Sequence, residues 1–317
     1  AKKIISKLAK IDCDFIKFQL ANPEKVYSAD AFKANYQKKN DKEKSIIKMS
    51  KKNQLSKESH LHLAKICKKF DKRYACTAFD LNSLKFLVKK INIPFIKIAS
   101  GEITSIDLLE YISKQNLPII LSTGMSTIKE IKNCVSILNK YKKKNITIMH
   151  CVSSYPAKPE QINLKFIKEL KKTFNCNVGY SDHSMTDEAC IAAVAMGANT
   201  IEKHITTDRS LSGPDHKASY TIEEFKALVF KIRNLEKILG HSKKIFHPDE
   251  IANRKMARKS IVAKTKIKKG QKIYLKNISF KRPGTGISPM KYKSILGKKA
   301  KTNLSQNTLI KRKDLKL

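Results

Sequence analysis

The chain has 317 residues, 41% of them apolar, and a formal charge of +39 from 66 basic and 27 acidic residues. That length and apolar share exclude a stapled mini-protein and a disordered chain, and they allow one large domain or two. The charge excess is lysine spread along helix faces and loops, the longest run being residues 142–144; without Trp, interleaved aromatics or a zinc-finger pattern it reads as solvated surface, and no nucleic-acid partner is expected.

No apolar run reaches the length of a membrane span, so no membrane partner is expected either. Seven cysteines form no C-x-x-C pair, which suits reduced thiols and a cytoplasmic setting. The opening AKKIISKLAKI places Ile4, Ile5, Leu8 and Ile11 at helical spacing and lacks the pattern of a signal peptide.

From there, short apolar runs alternate with helical patterns. Strands are predicted at 14–19, 74–79, 95–100, 118–124, 146–151, 177–183 and 200–206. Helices are predicted at 56–70, 81–90, 106–115, 128–141, 164–173, 186–196 and 222–239, the last closed by Gly240. Near-continuous apolar strands alternating with helices predict a parallel sheet covered on both faces. A closed (β/α)8 barrel needs eight strands and the chain opens on a helix, so the first strand is read as missing from this sequence. An open doubly wound sheet is the rival, but no Gly-rich phosphate turn follows an early strand. Residues 22–53, a lysine-rich connection after the first visible strand, lie over the barrel mouth as either a lid or a solvated insertion.

The barrel domain is expected over 1–240, a polar and basic linker over 241–258, and a second, β-rich domain over 259–317. In the last, SIVAKTKI, IYLKNISFKR and TLIKRKDL read as strands, with turns at Lys269-Gly270 and Gly284-Thr285-Gly286 and a helix near 289–296.

The candidate chemistry sits at strand ends. His183 and His204 each close an apolar run, with Asp182 before the first and Asp215-His216 after the second. Imidazole is a common metal ligand, and two at the C-terminal ends of neighbouring parallel strands point into one mouth. The same ends carry Lys17 and Gln19; Thr77; Lys97, Ser100 and Glu102; Ser122 and Thr123; His150, Ser153 and Tyr155; Ser181; and Lys203. Lysines inside strands are costly to bury unless they meet an anion, and hydroxyls donate to phosphate oxygens. The set predicts an anion site beside a metal site.

At this point the sequence resembles the bacterial sialic acid synthases, the N-acetylneuraminate synthase group. The matching blocks are IKIASGEIT (96–104), PIILSTGMSTIKEI (118–131), HCVSSYPAKPEQINL (150–164), GYSDHS (179–184), EKHITTDRSLSGPDHKAS (202–219) and KRPGTGISP (281–289). The resemblance implies a TIM barrel followed by a SAF, or antifreeze-like, domain. It implies condensation of phosphoenolpyruvate with N-acetylmannosamine to N-acetylneuraminate and phosphate, with C–O cleavage and a divalent metal, Mn²⁺ first, Mg²⁺ or Co²⁺ as alternatives. The same reaction on 2,4-diacetamido-2,4,6-trideoxymannose, giving N,N'-diacetyllegionaminate, is the alternative; a non-catalytic fragment is the alternative of another class. By the resemblance, His183 and His204 hold the metal. Lys17, Thr77, Lys97, Ser100, Ser122, Ser153, Tyr155 and Ser181 match phosphoenolpyruvate-site positions, with Ser153 standing where the family often has Asn. Glu102 matches the carboxylate near the reacting carbons, and Asp215 the one that binds the sugar. Arg282 matches a residue that the SAF domain lends to a partner barrel in a domain-swapped homodimer. The family's first strand, with its Asn-His loop and a carboxylate near the metal, has no counterpart in the sequence, so the chain is read as N-terminally truncated.

Overall fold

The computed structural model of the chain describes residues 1–142 and 145–316. Lys143 and Lys144 of the longest lysine run, and Leu317 at the end of the expected second domain, lie outside the described residues. The chain divides into two compact units, Ala1–Gly240 and His241–Leu317.

The first unit is built on seven parallel strands in chain order: β1 (Phe15–Leu20), β2 (Arg73–Ala78), β3 (Ile96–Ile98), β4 (Ile119–Ser122), β5 (Ile146–Cys151), β6 (Asn177–Asp182) and β7 (Thr200–Lys203). Each begins close to its predicted residue, because apolar runs bounded by polar turns leave few other placements. Strands β1 and β7 are the two edges of the sheet, and no described strand joins them. The run expected to end at residue 206 breaks at His204 and resumes as β8 (Ile205–Thr206), which pairs with β9 (Tyr220–Thr221) outside the main sheet.

Helix α1 (Lys2–Leu8) precedes β1, and α2 (Pro23–Val26), α3 (Asn35–Asn40) and α4 (Ile46–Asn53) lie in the connection that follows it. The crossover helices are α5 (Lys57–Lys69), α6 (Leu81–Phe86), α7 (Ile106–Ser113), α8 (Ile128–Leu138), then α9 (Pro159–Ile162) with α10 (Phe166–Phe174), α11 (Asp187–Ala195) and α12 (Ile222–Leu239). Side-chain oxygens of Ser56, Asp80, Thr127 and Thr221 accept from free N–H groups at the starts of α5, α6, α8 and α12. Their apolar faces close one core on the outer side of the sheet, with Ile5, Leu87, Leu109, Leu121, Ile131 and Leu138 all at most 1% exposed. No helix among the described residues is long and apolar enough to cross a membrane.

The second unit runs from His241, and residues 241–258, the expected linker, are grouped with it. They carry α13 (Pro248–Ala257), which has Pro at its first position, where a missing N–H is no loss. The carboxylate of Glu250 reaches back to the His247 N–H at 3.5 Å. Beyond it, β10 (Ser260–Ala263) pairs antiparallel with β11 (Ile278–Lys281) around a core including Ile261, Ile267, Ile273 and Ile310.

Candidate active site

Strand alternation decides which polar groups meet. On β1 to β7 the residues Lys17, Thr77, Lys97, Ser122, Ser181 and Glu202 share the inner face. Lys97 Nζ donates to Ser122 Oγ at 2.7 Å, and Lys17 Nζ to Thr77 Oγ1 at 3.4 Å. Both ammonium groups converge on Glu202, at 3.5 Å from Lys17 and 3.7 Å from Lys97. Ser181 Oγ donates to the same carboxylate at 2.9 Å. Burial opposes ionisation of Glu202, but Lys17, Lys97 and His204 outweigh it and hold its pKa well below the usual carboxylate range. Burial in turn lowers the pKa of Lys97, which Glu202 partly offsets.

Beside this cluster a second group of hydroxyls closes in. The Gly124 N–H donates to Ser100 Oγ at 3.0 Å. A side chain at position 124 would lie within about 3 Å of Ser100 Oγ and closer still to Ser153 Oγ, so only glycine lets these two hydroxyls approach. Glu102 lies just beyond, accepting from Ser105 Oγ at 2.6 Å; burial raises its pKa against that bond.

His183 and His204 follow directly on β6 and β7, and their ring centroids are 5.3 Å apart at 63°. Tyr155 packs against both, at 4.2 and 6.0 Å. His183 Nδ1 lies 2.7 Å from the Val152 carbonyl, which can only accept, so Nδ1 carries the proton and Nε2 keeps a bare lone pair. Burial lowers the pKa of His183, and holds that of His204 at about 3 with help from His183 and Lys17. Both rings are neutral near pH 7, as metal binding requires.

Among the described residues no three His, Cys, Asp or Glu side chains form a metal-binding group. The two imidazoles, one already oriented by a backbone carbonyl, are the residues that would hold a divalent cation here.

Asp215 stands apart on the loop after β8. Its Oδ1 is buried without a hydrogen-bond partner, and burial raises its pKa. The backbone around it is held from several sides. Ser219 Oγ donates to the Asp215 carbonyl at 2.7 Å, and the His216 ring bonds Thr206 Oγ1 at 2.7 Å. An oriented but unpartnered carboxylate oxygen costs about 1–3 kcal/mol, which marks a place for a ligand donor. A cavity of about 940 Å³ runs between Lys17, Glu202, His204 and Asp215.

Four strand-end groups are not in the site. Asp182 and Lys203 point to the outer face, where they pair with one another at 2.5 Å. His150 also turns outward, with Nε2 2.6 Å from the Ile162 carbonyl. Thr123 Oγ1 is spent on the Met149 carbonyl at 2.9 Å. Glu202 was not foreseen; its signal was parity, since it lies two residues before His204 on the same face. Arg282 is exposed in the second unit, on the turn after β11.

The chain matches two family models, "NeuB family" over residues 4–244 and "SAF domain" over residues 258–316. It is 41% identical over 314 residues to an N,N'-diacetyllegionaminic acid synthase of Campylobacter jejuni, covering 98% of this chain and 94% of the relative. It is 31% identical over 332 residues to an N-acetylneuraminate-9-phosphate synthase of Drosophila melanogaster, covering 97% and 89%. Among solved structures, an N-acetylneuraminic acid synthetase of Leptospira borgpetersenii superposes with a TM-score of 0.70 at 35% identity, covering 80% of this chain and 83% of that one.

Proposed function

The chain belongs to the NeuB family, a sugar-acid synthase barrel followed by a SAF domain, and from that premise we propose that it condenses phosphoenolpyruvate with an N-acetylated amino-sugar aldehyde. The observation that carries this reading is the convergence of Lys17 and Lys97 on one inner-face carboxylate, next to two neutral imidazoles. The aldehyde we assign is 2,4-diacetamido-2,4,6-trideoxymannose, giving N,N'-diacetyllegionaminate, because a relative of that name is 41% identical. The second reading, N-acetylmannosamine to N-acetylneuraminate, is favoured by the solved synthetase at 35% identity.

Lys17 and Lys97 balance the charge of the phosphorylated enol, and Glu202 holds their ammonium groups toward the cavity. Ser100, Ser122, Ser153, Ser181 and Thr77 supply hydroxyl donors to its phosphate and carboxylate oxygens. His183 and His204 hold a divalent cation, Mn²⁺ first and Mg²⁺ or Co²⁺ as alternatives, which when bound supplies Lewis-acid polarisation of an aldehyde oxygen. Tyr155 packs both rings in place. The enol methylene carbon forms the new bond to the aldehyde carbon, whose oxygen takes up a proton and becomes a hydroxyl, and water adds to the neighbouring enol carbon. Glu102, its pKa raised by burial, takes the proton from that water. The resulting tetrahedral carbon expels phosphate together with the bridging oxygen, leaving the 2-keto acid. Asp215 accepts from a hydroxyl or amide of the sugar through its vacant Oδ1.

We further assign exposed Arg282 to the sugar site of a partner protomer, within a homodimer that exchanges second units. A cytoplasmic setting fits the substrate and the seven free thiols. The test is phosphate release from phosphoenolpyruvate with each sugar, with and without Mn²⁺. Release that depends on a sugar supports the reading, and no release with either sugar contradicts it.

A further inference from the structure

Residues 22–53 fold into a built cap. Lys33, 4% exposed, is its internal clamp: Nζ donates to the Asp41 and Glu43 carbonyls at 2.9 and 2.7 Å and lies 3.7 Å from the Asp41 carboxylate. A buried ammonium so fully satisfied belongs to a fixed element, and a solvated insertion has no use for one. Asp80 Oδ2 accepts from the Asn22 N–H at 2.7 Å, which ties the cap to the barrel, and Gln54 Oε1 accepts from the Ala21 N–H at 3.0 Å, which ties its two ends together.

The cap touches the mouth at two further points, the second of them next to Asp215 in the chain. At one, Tyr36 of α3 stacks on Tyr155, with centroids 4.9 Å apart at 28°. Tyr155 is the ring packed on His183 and His204. At the other, Asn40 Nδ2 donates to the Pro214 carbonyl at 3.0 Å, one residue before Asp215. Burial, with Asp215 adding to it, raises the pKa of the Tyr36 phenol, so the phenol keeps its proton as a donor. On this side the cavity wall is Tyr27, Gln37, Met49 and Asn53 of the cap, opposite Gly213 and Asp215.

A sugar aldehyde whose reactive end lies at the imidazoles and whose hydroxyls reach Asp215 therefore presents its far substituents to the cap. We propose that this cap selects the sugar, with Tyr36 the specificity-determining residue and Asn40 the positioning residue that holds the Pro214–Asp215 backbone. The inference rests on the condensation reading above. The side chain of Met49 in the cavity wall offers apolar surface suited to a 6-deoxy methyl, and Tyr36, stacked on Tyr155, offers a phenol donor to an acetamido carbonyl.

The experiment measures kcat/KM for both sugars, and KM for phosphoenolpyruvate, in wild type, Tyr36→Ala, Tyr36→Leu and Asn40→Ala. Tyr36→Ala should change the ratio of the two sugar kcat/KM values by at least about tenfold, while KM for phosphoenolpyruvate stays within about twofold. Tyr36→Leu keeps bulk in the stack and is read by the same ratio if the alanine variant does not fold. Asn40→Ala should raise KM for both sugars and leave that for phosphoenolpyruvate in place. An unchanged ratio in the Tyr36 variants, or a rise in KM for phosphoenolpyruvate in parallel with the sugars, overturns the inference with the condensation reading intact. A wild type that turns over neither sugar overturns both.

Discussion

Asp182 and Lys203 form an ion pair at 2.5 Å on the outer face of the sheet, with side chains 0% and 1% exposed. They face one another in the β6–β7 register, and each immediately precedes a histidine of the site. Lys203 Nζ also donates to the Ser184 carbonyl at 2.5 Å and lies 3.8 Å above the Tyr220 ring, while Tyr180 Oη donates to Asp182 at 2.9 Å. The pair thereby fixes the two strand ends side by side, and with them the spacing of the imidazoles.

Removing one partner of that pair strands a buried charge. Asp182→Asn should lower unfolding free energy by about 3–5 kcal/mol and weaken cation binding with it. Urea denaturation and Co²⁺ titration read the two effects. A loss below about 1 kcal/mol, with unchanged Co²⁺ affinity, would show that the pair does not hold the strand ends.

Glu202→Gln should raise KM for phosphoenolpyruvate, because Lys17 and Lys97 lose the charge that aims them. It also carries a pH signature. The Glu202 pKa is depressed in the fold below its ordinary value of 4.5, so its contribution to stability is present above that value and is lost as pH falls beneath it. The stability difference between wild type and Glu202→Gln should be constant above pH 5 or so and shrink on acidification below it. A difference that grows with acid would contradict the assignment.

The sheet was legible because buried parallel strands are short apolar runs, and little else in the chain looks like β1 to β7. The histidine pair was legible for the same reason, since both rings close such runs. Glu202 is less legible, because a cluster of polar residues at a strand end does not by itself show which face each one takes. Lys203 stands beside His204 and Asp182 beside His183 in the sequence, whereas period-two geometry sends both away and brings Glu202 in. His150 is turned outward by the same alternation. The cap was hidden by composition: one lysine among dozens becomes its internal clamp, and nothing local distinguishes Lys33 from its solvated neighbours.

The proposed cation rests on His183 and His204. Alanine at either position should abolish metal-dependent turnover and remove the Co²⁺ absorption band, with the secondary structure retained by circular dichroism. Full activity of His183→Ala in the presence of chelator would exclude a metal role for this ring.

Arg282→Ala is expected to raise KM for the sugar with the second unit still folded. Mixing it with an Asp215→Asn chain should restore a fraction of the activity if arginine and barrel come from different protomers. Wild-type kinetics in Arg282→Ala would remove this residue from the account.

The central claim is that the pocket between the strand lysines and the imidazoles joins an enol to an aldehyde and releases phosphate by carbon–oxygen cleavage. Phosphoenolpyruvate labelled with ¹⁸O at the bridging position tests it most directly. The account predicts that, in the presence of the amino sugar and Mn²⁺, the label appears in the released phosphate; label retained in the keto acid, or phosphate released equally without sugar, would contradict it.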